Sequence, residues 1–161
     1  MKKEVSSKNI IGIFILFIFV GGLFSFFIYS DYHSIKKISV DKYGNNNVLF
    51  SFDYIQDNPK DKDVSIKGWA FKKNQNLRTV NTYVTLRNKN TSQVFKINTI
   101  KEERKDVTLL YNDSYNYDHS GLFAQFNKNV LKDKGEYEIC ILYLSDNNTD
   151  FVPTGKFINI N

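Results

Sequence analysis

Few residues in this chain have chemistry to offer. Asp118, His119 and Ser120 are the residue types of a hydrolytic triad, but they are consecutive. A triad is assembled from distant positions, so three neighbours cannot take its geometry, and His119 reads as a loop residue. Two histidines and one cysteine, Cys140, do not supply a zinc cluster of the usual kinds. There is no glycine-rich phosphate loop and no H-E-x-x-H pair. Glu102 and Glu103 sit among basic neighbours and read as solvated surface. No nucleophile–base set is selected, so the chain is expected not to be an enzyme, with no catalytic residue, no metal and no cofactor.

Binding chemistry is concentrated in one stretch, Tyr111 to Ser120, YNDSYNYDHS. Tyrosine offers a rigid amphipathic ring and Asn, Asp and Ser adaptable hydrogen bonds, the composition of recognition loops. Tyr111, Tyr115 and Tyr117 are the candidates for stacking on sugar rings. Asp118, with Asp113 and Asn116, would bond hydroxyls, and His119 completes the set. The plainer alternative, which is favoured, is an irregular loop whose tyrosines pack back on the domain, since long loops are only often functional.

The elements that must hold this loop are strands. Period-two alternation recurs in short stretches separated by turn clusters. Val48 to Ile55 places Val48, Phe50, Phe52 and Tyr54 on one face, and the Asp57–Asp61 cluster ends it. Val64 to Phe71 follows. Val80 to Arg87 and Val94 to Ile100 read as two arms of a hairpin about the turn Asn88 to Ser92. Residues 101–120 break the pattern, and Leu122 to Phe126 resumes it. Glu136 to Leu144 is apolar on both faces and so is expected to be a central strand. Pro153 in the last run fits an edge or a bulge. Outside the N-terminal apolar run, no helical period competes. The expected fold is all-β, a single immunoglobulin-like β-sandwich of about seven strands over residues 47–161, preceded by one N-terminal transmembrane α-helix.

Four segments of this region come in a recognisable order: Ile66-Lys67-Gly68-Trp69-Ala70-Phe71, Arg104-Lys105-Asp106-Val107, Ser120-Gly121-Leu122-Phe123, and Leu131 to Ile139. Together they resemble the "GWA" sandwich domains of bacterial cell-surface proteins, which also occur beside glycosyltransferases that build surface polysaccharides. Lys105 stands where a Pro is common in that family, and Leu122 where a Phe is common. The resemblance implies a fold and a cell-envelope setting rather than a reaction. Its motif residues here are Gly68, Trp69, Arg104, Asp106 and Gly121. In physical terms, Trp69 is expected as a core anchor between sheets, and Gly68 as a point of close backbone approach or a bulge. Arg104 and Asp106, two apart, are expected to pin the long loop.

All of this follows a run without a charged residue, residues 10–29, IIGIFILFIFVGGLFSFFIY. As a helix it is about 30 Å long, a bilayer's hydrocarbon thickness. Its length, and the lack of an A-x-A-like site at its exit, favour a transmembrane signal anchor over a cleaved signal peptide. No cysteine lies near it for lipoprotein processing. Residues 1–9 form a short basic cytosolic lead and 30–46 a juxtamembrane linker. Lys2, Lys3 and Lys8 give a modest positive-inside bias, with Tyr29 and Tyr32 at the outer interface. That orientation places the N-terminus in the cytosol and the C-terminal domain outside the plasma membrane. Gly21 and Ser25 form a small-xxx-small pair, read as packing-neutral. The net charge is +5, from 22 basic and 17 acidic residues; after the apolar run 19 face 16, diffusely spread. Nucleic acid, which selects a concentrated basic stripe, is not an expected partner. The abundance of Lys, Asn and Ile hints at a low-GC bacterium. The expected function is a membrane-anchored extracytoplasmic binding protein contacting glycan or an envelope protein. The alternative is a non-catalytic accessory subunit of a surface-polysaccharide assembly or export complex.

Overall fold

The computed structural model describes residues 7–32, 35–40, 47–77, 81–145 and 148–160. The chain divides into two compact units, residues 1–33 and 34–161. In the first, α1 (Ser7–Tyr32) is a single helix. Its stretch Ile11–Ser30 is long and apolar enough to cross a membrane, with its side chains exposed all round. Within it, the Ser25 hydroxyl donates to the Gly21 carbonyl at 2.9 Å, so that group is satisfied inside its own helix, as an apolar medium requires.

The second unit is built of nine strands among the described residues: β1 (Ile35–Ile38), β2 (Val48–Gln56), β3 (Asp63–Lys72), β4 (Asn81–Asn88), β5 (Val94–Ile97), β6 (Thr99–Glu102), β7 (Gly121–Asn127), β8 (Gly135–Ser145) and β9 (Asn148–Ile160). They form two antiparallel sheets, ordered β1-β5-β4-β8-β9 and β2-β3-β7-β6. One core joins their facing sides, with Val64, Ile66, Ala70, Leu122, Ala124 and Phe126 from one sheet and Val84, Leu86, Ile139 and Ile141 from the other. The arrangement is sandwich-like.

The count exceeds the expected seven or so for two local reasons. Residues 35–38, within the stretch read as linker, pair with β5 through Ile35↔Ile97 to Ile38↔Val94. The run Val94 to Ile100 is not one hairpin arm. At Asn98 the chain leaves one sheet and enters the other, so β5 pairs with β4 and β6 with β7. Thr99 makes that exit affordable, because its Oγ1 accepts the Val84 N–H at 2.9 Å and donates to the Ile97 carbonyl at 3.0 Å. These are backbone groups that a continuing strand would otherwise pair.

β8 lies inside its sheet, as its two apolar faces require. Tyr137, Ile139, Ile141 and Tyr143 enter the main core, while Cys140 and Leu142 pack on the outer face with Phe151. β9 is an edge strand. Its register against β8 slips between Ile139↔Lys156 and Cys140↔Pro153, so Pro153 sits at both an edge and a bulge. The Asn88 turn is also as expected, with the Asn88 side chain accepting the N–H of Asn90 and Thr91, both at 2.9 Å. Val80, expected to open β4, lies outside the described residues, as does the side chain of Tyr32.

Two expectations are corrected. Tyr54 does not share the inner face of Phe50 and Phe52. A bulge at Asp53, between Phe52↔Gly68 and Tyr54↔Lys67, adds one residue and turns the alternation over. Ile55 then packs on the core, and Tyr54 is 43% exposed. Trp69 is not between the sheets either. Alternation along β3 gives the inner face to Val64, Ile66, Gly68 and Ala70, so Trp69 and Phe71 lie on the outer face.

Candidate binding site

The outer face of the β2-β3-β7-β6 sheet carries Trp69, Gly121 and the loop that holds Arg104, Asp106 and the tyrosines, while Gly68 lies on its inner face beside them. Between β6 and β7 the chain forms α2 (Lys105–Tyr111), a seven-residue helix. It ends at Asn112, whose left-handed backbone (φ 42°, ψ 42°) suits Asn better than most residues. Two turns are too few for a helical period to stand out, which is why this segment reads only as a break in the strands.

Arg104, just before α2, is the tie between helix and sheet. Its Nη1 donates to Asp53 Oδ2 at 2.6 Å, and its Nε and Nη2 donate to Asp106 at 2.9 and 2.8 Å. Asp53 is the bulge residue of β2, so the bulge aims a carboxylate at the guanidinium. The paired carboxylates hold Arg104 above its usual pKa. In return the Arg104 hydrogen bonds hold Asp106 below the usual 3.8. Backbone closure adds to this, the Arg104 N–H donating to the Asp118 carbonyl at 2.6 Å.

Both motif glycines are spaces rather than hinges. A Cβ on Gly68 would lie 2.2 Å from the Ser51 carbonyl oxygen of β2. One on Gly121 would lie 2.5 Å from the Glu102 carbonyl oxygen and 2.8 Å from Arg104 Cγ. Gly121 pairs with Trp69, and Gly68 with Leu122. The motif residues, 53 positions apart at their extremes, thus meet around the Arg104 stem and the β2 bulge.

The tyrosines of the loop form the second layer. Phe71 and Tyr117 are fully buried and stacked, with ring centroids 3.9 Å apart. Tyr111 meets Phe71 edge-on at 4.8 Å and Trp69 at 5.9 Å. Tyr115 covers Tyr117 at 6.4 Å. The Tyr117 hydroxyl donates to Asp113 Oδ2 at 2.8 Å and accepts the Asn74 N–H at 3.1 Å. Tyr117 therefore has no ring face or hydroxyl to give a ligand, which corrects its assignment as a stacking residue. Tyr111 and Tyr115 are half-buried in the same cluster. Asp118 is half-buried too, accepting from Thr108 Oγ1 at 2.7 Å, and the same Thr108 oxygen accepts the Tyr117 N–H at 2.9 Å. Only His119 among the five loop candidates is exposed.

Three residues that matter here carry no obvious signal: Asp53, Tyr54 and Thr108. The bulge was readable in principle. In Val48-Leu49-Phe50-Ser51-Phe52-Asp53-Tyr54-Ile55, Val48, Phe50 and Phe52 step by two, and the next aliphatic position, Ile55, comes three after Phe52. Compared with protein-family models, curated proteins and solved structures, this chain returns no match.

Proposed function

We propose that the chain is a single-pass membrane protein whose immunoglobulin-like sandwich of the GWA type is held outside the plasma membrane of a bacterial cell as a non-enzymatic binding module. On this reading the domain contacts envelope glycan or an envelope protein, and nucleic acid is not a partner. The observation that carries it is the pairing of an exposed 20-residue apolar helix stretch with a separate β-domain. A 20-residue apolar stretch is about the length that spans a bilayer. The loop chemistry supports a non-catalytic role, since Tyr117, Asp113 and Asp118 are spent on one another and on Thr108. The test is fractionation of cells expressing the full chain, followed by binding of the detergent-solubilised protein to isolated cell envelopes. The expected result is retention in the membrane pellet through an alkaline carbonate wash, with saturable binding to envelopes. Release by carbonate, or the absence of saturable binding, contradicts the proposal.

A further inference from the structure

The α2 loop covers only part of the outer face of the β2-β3-β7-β6 sheet. Leu49, Trp69 and Phe71 lie under it, and the rows beyond are open. The first open row crosses all four strands in register: Tyr54↔Lys67, Lys67↔Phe123 and Phe123↔Ile100. Tyr54 is 43% and Ile100 40% exposed. Tyr54 reaches this row only because the Asp53 bulge turns it outward, and bulges are a means of re-aiming a side chain. Water-facing positions of a two-layer β fold are ordinarily polar, so a bulge that takes a tyrosine out of the core and sets it in one row with Phe123 is a feature to explain.

We infer that this row is a platform for a neutral glycan chain. The inference rests on the proposed binding role and moves its site from the loop to the sheet. Tyr54 and Phe123 stand two strand spacings apart, about 10 Å, with the Lys67 stem between them. Gln125, half-buried two positions along β7 on the same face, adds amide donors and acceptors beside the rings. Rings with an amide beside them match a partner that has apolar C–H faces and hydroxyls. Charge decides for a neutral one. Lys67 Nζ is 2.8 Å from Glu102 Oε2, and Arg104 is taken by Asp53 and Asp106, so each of these cations already has its carboxylate.

The experiment uses the full chain in detergent micelles against immobilised neutral gluco-, galacto- and manno-oligosaccharides, with oligouronates alongside. The wild type is expected to retain at least one neutral oligosaccharide with little salt dependence. Tyr54→Ala should weaken retention by about tenfold, as loss of an aromatic contact does. Tyr54→Trp should keep it, and Tyr115→Ala should leave it unchanged. Equal thermal midpoints establish that the variants are folded. The inference is overturned if no neutral oligosaccharide is retained, if only oligouronates bind, or if Tyr115→Ala rather than Tyr54→Ala abolishes binding. Envelope binding that persists while every neutral oligosaccharide fails would overturn the platform and leave the proposed binding role standing.

Discussion

At the scale of single residues, the site is built from close approaches and one shared cation. Gly68→Ala would drive a methyl group into the Ser51 carbonyl at 2.2 Å. The obstacle is backbone within a paired strand, so it cannot swing aside. We expect a loss of about 2 kcal/mol or more, the upper part of the range for overpacking, read as a lowered urea midpoint. Arg104 makes a pH prediction. Its hydrogen bonds lower the native pKa of Asp106 below 3.8, so in acid the native state takes up that proton later than the unfolded chain. The contribution is therefore complete above the ordinary value and disappears as pH falls through the lowered one. Wild type should exceed Asp106→Asn in stability near neutral pH, and the gap should close as pH falls below 3.8 and through the lowered value. A gap that persists in acid would mean that the carboxylate is not the source. In the alkaline direction, burial pushes the Cys140 thiol from 9.0 up to about 12 and the Tyr143 phenol from 10.0 up to about 12. The native state favours the protonated forms, so stability held below pH 9 is lost as pH rises toward 12.

At the scale of elements, the loop is a packed lid on half a sheet face. Tyr117→Phe leaves the Asp113 carboxylate and the Asn74 N–H without their partner. Both groups lie partly in water, so we expect about 1 kcal/mol, measured by chemical denaturation. Tyr115→Phe, on the outer side of the stack, should cost less. Equal costs would contradict the layering. The elements also show what sequence can and cannot carry. β3, β4 and β7 are legible because each alternates over seven or more residues, long enough for the period to exceed chance, and β8 is legible as a long run that is apolar on both faces. The sheet switch at Asn98 is not, because the alternation continues across it and only a Thr hydroxyl marks the corner. α2 is too short for its own period. Trp69 was legible as buried matter but not as outward-facing, since side is set by Gly68 and Ala70 holding the inner positions beside it. The ordered motif pointed to the residues around Arg104, yet not to Asp53, whose role depends on a bulge supplied by another strand.

At the scale of the whole molecule there are one apolar helix and one β-domain, and on the proposed reading the first attaches and the second makes contact. The buried Cys140 helps to test this, because a thiol held near pKa 12 in a closed core does not react with maleimides at neutral pH. A cysteine introduced at exposed Lys132 is then the only reactive one in the folded protein. The most direct measurement is labelling of Lys132→Cys in intact cells with a membrane-impermeant maleimide. The account predicts labelling without permeabilisation, on a chain that stays in the membrane pellet. Labelling only after the membrane is opened would contradict it.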